Sequence, residues 1–162
     1  MAYDPQIYSS YELNWQLHTQ AGNQCLLAGS YLEALHAYRK AIALAELMLM
    51  TAKKERRHPE AIHAYVMACH NLADNLVKLE DFQVAETTMQ QALDRVVDLM
   101  HATHYFQCLR IEAAKALKMV SLKVYEFYLR LGQQDKARRV FEHNTELAQM
   151  FFSQIQPRLL SV

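Results

Sequence analysis

Histidine and cysteine are the residue types of this sequence best suited to metal chemistry, and two pairs of them lie close together. His101 and His104 are separated by two residues, and Cys69 and His70 are adjacent. A protein zinc site needs three or four such ligands in compatible geometry, and neither pair has a third candidate at a suitable spacing. His101 and His104 fit the C-terminal end of a helix, where the helix dipole favours a cation. We therefore predict that the chain binds no metal and no other cofactor.

The sequence also lacks the motifs that organise common active sites. Its three glycines are isolated and cannot form a phosphate-binding loop, and there is no nucleophile elbow or zinc-protease motif. The one basic cluster, residues 53–58, is interpreted as the solvated end of a helix, with a nucleic-acid contact as the alternative. The 17 basic and 17 acidic residues cancel, so no net field attracts nucleic acid or an acidic membrane. We predict that the protein is not an enzyme and has no nucleic-acid partner.

The cysteines and the apolar runs bear on cellular location. Cys25, Cys69 and Cys108 are too scattered for a disulfide framework, and each is predicted to be a small buried apolar residue. The most apolar run, residues 41–50, is ten residues long, whereas a membrane helix needs about 20. The first ten residues have neither the basic start nor the apolar centre of a signal peptide. These features predict a cytoplasmic protein with no membrane partner.

The elements that position these residues are predicted to be helices. Only three glycines and three prolines occur in 162 residues, and helix-forming residues dominate. Ser9 or Ser10 is the expected N-cap of the first helix and Thr103 that of the fifth, while Pro157 is expected to end the sixth. We predict an all-α chain with six long helices at residues 11–28, 31–57, 59–79, 82–101, 104–131 and 134–156.

One pattern recurs three times, at residues 22–41, 73–92 and 125–144, with a period of 51 to 52 residues. Each copy has a turn, followed by small and large side chains at helical spacing. A period of this kind indicates stacked copies of one supersecondary unit. The matching positions are Gly29, Tyr31, Ala34, Tyr38 and Ala41 in the first copy, Glu80, Phe82, Ala85, Met89 and Ala92 in the second, and Gly132, Gln134, Ala137, Phe141 and Asn144 in the third.

This pattern resembles the tetratricopeptide repeat, a helix–turn–helix unit that stacks into a right-handed superhelix. In that family the first helix carries a small residue where this chain has Gly22 and Ala73, and the second helix carries the alanine–aromatic–alanine pattern given above. The third copy matches weakly, because Tyr125 replaces the small residue and Asn144 replaces the last alanine. The period exceeds the usual length of about 34 residues, which predicts longer helices and a wider or flatter groove. The chain is similar in this to small uncharacterised bacterial proteins of the class.

The resemblance implies three stacked antiparallel helix hairpins in one domain over residues 1–162, with repeats at about 11–57, 59–101 and 104–156. It also implies that the first helix of each hairpin lines a concave face that binds a protein or peptide partner. The alternative for three apolar members, Met119, Leu122 and Leu129, is that they pack against neighbouring helices. The predicted partner-binding set is Thr19, Asn23, Leu26, Met67, His70, Asn71, Asp74, Met119, Leu122, Lys123, Glu126 and Leu129.

Some members of that family hold the terminal carboxylate of a partner with lysines and asparagines. Asn23, Asn71 and Lys123 lie where three of those side chains are expected, but Thr19 and Met119 occupy the positions of the two lysines. Without both lysines, most of the charge-assisted hydrogen bonding of such a clamp is lost. The sequence therefore disfavours a carboxylate clamp.

The last helix is predicted to carry an apolar face, because stacked repeats leave such a face at the last helix unless an extra polar helix covers it. Its members are Leu147, Met150, Phe151, Phe152 and Ile155, and they are the candidate interface of a homodimer. The alternative is that Phe151 and Phe152 fold back under their own repeat. We thus predict a protein–protein interaction module, an adaptor or chaperone-like scaffold. A structural homo-oligomer and a secretion-type chaperone are the alternatives, the latter disfavoured by its shorter repeat period.

Overall fold

The computed structural model describes residues 4–159, with side chains as far as residue 155. Short turns separate long helices over this range, and the described residues contain no strand. The prediction of an all-α fold is confirmed. The six helices are α1 (Pro5–Leu27), α2 (Tyr31–Glu55), α3 (Ala61–Lys78), α4 (Phe82–His101), α5 (Gln107–Arg130) and α6 (Gln134–Leu159).

The predicted start of α1 is wrong by about two turns. Asp4 is the N-cap, and its Oδ1 accepts a hydrogen bond from the backbone N–H of Gln6 at 2.9 Å. Pro5 then occupies the first helical position, where its fixed φ suits the helix and its missing N–H costs nothing. Ser9 lies inside the helix and donates its hydroxyl to the carbonyl of Pro5. The aspartate–proline pair therefore replaces the expected serine cap.

Two further helix ends differ from the prediction. Thr103 does not cap α5, which begins at Gln107 after an extended Phe106. Pro157 does not end α6, which continues to Leu159. Because Pro157 lies in the last turn, its missing N–H removes a single hydrogen bond near the end of the helix.

The three hairpin turns have one geometry. Gly29, Glu80 and Gly132 all have positive φ, at 76°, 59° and 73°. Each follows a helix C-cap and closes a Schellman motif, in which the next residue donates its N–H back to a carbonyl of the preceding helix. The predicted turns at all three places are confirmed. The closing bonds are Ser30 N to Cys25 O, Asp81 N to Leu76 O and Gln133 N to Tyr128 O, each 2.9 Å long.

The helices form three hairpins that stack in chain order. Each helix packs against the next one, and α3 also packs against α5. Small residues allow the close approach: Ala34, Ala85 and Ala137 are fully buried near the start of the second helix of each hairpin. The predicted stack of tetratricopeptide-like hairpins is confirmed. Its consequence is that α1, α3 and α5 form one layer of first helices, while α2, α4 and α6 form the other.

The prediction that all three cysteines are buried is correct for Cys69 alone. Burial raises the pKa of the Cys69 thiol to about 11, so this thiol is neutral and inert at ordinary pH. Cys25 is half-buried, and Cys108 is exposed. Cys108 lies in the first turn of α5, where the neighbouring Leu109 enters the core instead. All three are free thiols.

Candidate functional site

The predicted partner-binding residues lie on α1, α3 and α5, and we call the surface that they share the first-helix face. Its exposed members belong to all three helices, and the half-buried members lie beside them. The exposed members are Asn23, Met67, Asp74, Met119, Leu122, Glu126 and Leu129, and the half-buried members are Thr19, Leu26, His70, Asn71 and Lys123.

Several large apolar side chains are exposed on the first-helix face. Met67 on α3 and Met119 and Leu122 on α5 are 47%, 44% and 44% exposed, and Leu129 is also exposed. Packing against neighbouring helices, the alternative for Met119, Leu122 and Leu129, thus covers only part of each side chain. Met67 and Met119 occupy the same position in successive repeats, 52 residues apart. Because α3 packs against α5, two adjacent helices share this apolar surface.

An ion pair joins the two helices within this surface. Lys123 Nζ on α5 donates to Asp74 Oδ1 on α3 at 2.5 Å. His63 Nε2 on α3 lies 2.7 Å from Glu112 Oε2 on α5 in the same relative register, and Lys115 also donates to Glu112 at 2.8 Å. Hydrogen bonds from Lys115 and then His63 hold the pKa of the Glu112 carboxyl below its usual range. The two bridges fix α3 against α5.

His70 places an unpartnered polar atom in the same surface. Its Nε2 is buried and has no hydrogen-bond partner, and the same holds for the Oγ1 of Thr19 on α1. Burial, assisted by the positive charge of Lys123, lowers the pKa of His70 to about 4, although Asp74 opposes the shift. The imidazole is therefore neutral at physiological pH.

A further hydrogen bond orders the α1 part of the face. Tyr38 Oη on α2 donates to Asn23 Oδ1 on α1 at 2.8 Å. Burial and then the nearby charge of Asp74 raise the pKa of Tyr38. The charge of Asp74 thus influences a side chain of α2 as well as one of α5.

Beside Asp74, α3 and α5 enclose a small cavity together with Met89 of α4. The lining residues are Ala73, Asp74, Val77, Met89, Lys123, Glu126, Phe127 and Arg130.

The predicted oligomer interface on α6 divides into a buried part and an exposed part. Phe151 and Ile155 are 4% and 8% exposed. The prediction that these two residues belong to an exposed interface is therefore wrong. The Arg110 guanidinium of α5 lies over the Phe151 ring, 5.4 Å from its centroid, and draws that side of α6 into the chain's own core. Leu147 packs partly against the same core. Met150 and Phe152 remain exposed.

A groove between α5 and α6 was not predicted from the sequence, and we call it the terminal groove. Its volume is about 530 Å³. Asn144 lies in it with 4% of its surface exposed, and its Nδ2 has no hydrogen-bond partner. The signal was present in the sequence as the replacement of alanine by Asn144 in the third repeat. The lining residues are Lys118, Ser121, Phe141, Asn144, Thr145, Ala148, Gln149, Phe152 and Ser153.

Residues 4–159 contain neither a cluster of metal-binding side chains nor a membrane-spanning helix. No three histidine, cysteine, aspartate or glutamate side chains of this part of the chain are grouped closely enough to hold a metal ion. In the same range, none of the helices combines the length and the apolar character that crossing a membrane requires.

Comparison with known proteins gives one family match. A model of a protein family of unknown function, DUF2753, matches residues 13–158. No curated protein matches the sequence. Among solved structures, the chain is similar to that titled "Crystal structure of MamA protein", with 15% sequence identity over 82% of this chain and 91% of that chain. The TM-score of this match is 0.18.

Proposed function

The chain belongs to the DUF2753 family of proteins of unknown function, and we propose that it is a protein–protein interaction module. In this proposal the first-helix face holds an amphipathic segment of a partner protein. The observation that carries the proposal is the set of exposed apolar side chains, Met67, Met119, Leu122 and Leu129, on two helices that ion pairs hold together. The proposal assigns the chain a binding role and no catalytic one.

The apolar side chains supply the contact area that such binding needs. Exposed apolar groups that lie together on a soluble protein commonly mark an interaction surface. The thioether side chains of Met67 and Met119 are flexible and polarizable, so they adapt to different partner shapes. Leu122 lies one helical turn from Met119 on α5. An amphipathic helix laid in a groove of this kind places one apolar side chain per turn against it.

The charged groups define the edge of the surface. Lys123 is already paired with Asp74, so it offers no free cation to the terminal carboxylate of a partner. Thr19 and Met119 stand where a carboxylate clamp requires lysines. This supports recognition through an apolar centre bordered by polar groups, the usual arrangement of a protein interface. An adaptor and a secretion-type chaperone would both use the face in this way.

A photocrosslinking experiment tests where the partner binds. A benzophenone amino acid is placed at Met119 in one sample and at Lys40, an exposed residue of the other helix layer, in the control. Cells that express the tagged chain are irradiated and the adducts are identified by mass spectrometry. We expect one protein to crosslink at Met119 and not at Lys40, within the cytoplasm where we place the chain.

Affinity measurements then test which side chains hold the partner. The crosslinked segment is synthesised, and its binding to the purified chain is measured by calorimetry. Met119→Ala, Lys123→Ala and Asn71→Ala should each leave the helical circular dichroism unchanged, and truncation of a central contact should weaken binding about fivefold or more. Unchanged affinity in all three variants, with Lys40→Ala as the reference, would overturn the proposal.

A further inference from the structure

The terminal groove is the third copy of a surface whose first two copies, on α2 and α4, are each covered by the helix that follows in the chain. Six α6 residues of the groove occupy repeat positions that α4 and α2 also have. In α4, which α5 covers, five of the six are at most 6% exposed, and α3 covers α2 in the same way. The third hairpin has no following helix among the described residues. The equivalent sets are Phe141, Asn144, Thr145, Ala148, Gln149 and Phe152 in α6, Met89, Ala92, Leu93, Val96, Val97 and Met100 in α4, and Tyr38, Ala41, Ile42, Ala45, Glu46 and Leu49 in α2.

The structure also shows which side of a first helix fills this place. Asn75 Nδ2 on α3 donates to the carbonyl of Tyr31 on α2 at 2.9 Å. Ala64 and Ala68 lie on the same stripe of α3, because residues four and seven apart share a helix face, and both are buried. This stripe therefore faces α2.

The corresponding stripe of α1 has no such cover. Leu13 and Leu17 are the residues 51 positions before Ala64 and Ala68, and they are 57% and 54% exposed. Gln24, which is also exposed, takes the place of Asn75. The first and third hairpins thus carry the two halves of the contact that joins successive hairpins inside the chain.

The polarity of the two surfaces is compatible. Glu12 is the only Asp, Glu, Lys or Arg residue of α1, and Lys118 is the only such residue that lines the terminal groove. A helix seated in the groove would bury the ring of Phe152 and would offer an oxygen to the unpartnered Nδ2 of Asn144. Neither surface presents a like charge that would oppose the contact.

We propose that the terminal groove receives α1 of a second copy of this chain, so that copies stack head to tail and continue the repeat. Leu13 and Leu17 of the second copy would lie on α6 as Ala64 and Ala68 lie on α2. Gln24 of the second copy would donate to the carbonyl of Gln134, as Asn75 does to that of Tyr31. Because this contact joins two different surfaces, it is heterologous and adds further copies instead of closing into a symmetric dimer.

The test measures the mass of the full chain by sedimentation and light scattering over a wide concentration range. The wild type should exceed the 18.8 kDa of one chain, with a mass that rises with concentration. Leu17→Arg blocks the α1 surface, Thr145→Arg blocks the terminal groove, and each variant alone should remain a monomer. The matched controls, Leu27→Arg on α1 and Met150→Arg on α6, alter exposed residues outside both surfaces and should assemble like the wild type.

Mixing the two blocked variants gives the decisive result. Each retains the surface that the other lacks, so an equimolar mixture should form a one-to-one dimer that neither variant forms alone. A monomeric wild type at every concentration overturns the proposal. So does continued dimerisation of Leu17→Arg, because it would mean that two terminal grooves meet directly. Circular dichroism confirms that each variant is folded, and the first-helix face is unchanged in both, so this result is independent of partner binding.

Discussion

The backbone of Gly22 on α1 lies directly against the ring of Tyr38 on α2. A Cβ atom built on Gly22 would be 2.5 Å from Cε1 and 2.6 Å from Cδ1 of that ring. Tyr38 is 1% exposed, so the ring has no free space into which it can move. This contact sets how closely the first hairpin closes.

Gly22→Ala should therefore destabilise the chain, although alanine is the better helix former. Overpacking costs about 1–3 kcal/mol, which exceeds the gain in helix propensity of about 1 kcal/mol. Chemical denaturation measures the difference. In a Tyr38→Leu background the same substitution should cost less, and equal costs in both backgrounds would show that the ring is not the cause.

Glu80 has the left-handed backbone conformation that Gly29 and Gly132 have at the other two hairpin turns. A residue with a Cβ atom pays about 1–2 kcal/mol for that conformation, and glycine would remove this cost. Part of the gain would be lost, because glycine also gives the unfolded chain more conformational freedom. We expect Glu80→Gly to raise the free energy of unfolding by about 0.5–1 kcal/mol. Gly132→Ala, the matched change in the opposite direction, should lower it.

His70 should make the chain less stable in mild acid. Its pKa is lowered from 6.5 to about 4 by burial and by Lys123, so below pH 6.5 the unfolded chain binds a proton that the folded chain excludes. The free energy of unfolding should fall between pH 6.5 and pH 4, by at most about 3 kcal/mol. Measurements on His70→Gln should show a flatter pH dependence over this window. An equal effect of His143→Gln, at an exposed site, would contradict the assignment.

Glu112 should contribute to stability in a lower pH window than His70. Whereas the folded chain favours the neutral form of His70, it favours the charged form of Glu112. Its pKa is held below 4.5 by Lys115 and His63, so the stabilisation is complete above pH 4.5 and is lost as pH falls through the lower, folded-state value. Glu112→Gln should lower the free energy of unfolding at pH 7 by about 0.5–1 kcal/mol, in the range of partly exposed ion pairs. The difference between variant and wild type should vanish in strong acid. A difference that persists there would mean that packing, not charge, is responsible.

The fold could be predicted from the sequence because its signals are local and repeated. A turn residue followed by a buried alanine at the same spacing recurs in all three copies, and the three turns lie where they were predicted. The helix starts at Pro5 and Gln107 could not be placed as well. Capping at Asp4 competes with equally suitable serines downstream, and Phe106 carries no capping oxygen that would mark the start of α5.

The candidate sites could be predicted only in part. The resemblance to the tetratricopeptide repeat predicts Met67 and Met119 on the first-helix face, and both are exposed there, on α3 and α5. Helical spacing does not tell which side of α6 packs against α5. That choice depends on contacts such as Arg110 over Phe151, so the buried and exposed members of the α6 set could not be separated.

Three bridges between neighbouring repeats share one sequence separation: His63 with Glu112, Asp74 with Lys123, and Glu46 with Arg95 are each 49 residues apart. Each hairpin is thus set on the one before it with the same offset. An insertion or deletion within a helix would turn the residues that follow it in that helix by about 100° around the helix axis and would break the bridges that they make, whereas a whole hairpin added between two existing hairpins would keep the offset. The common offset therefore favours changes of length by complete hairpins.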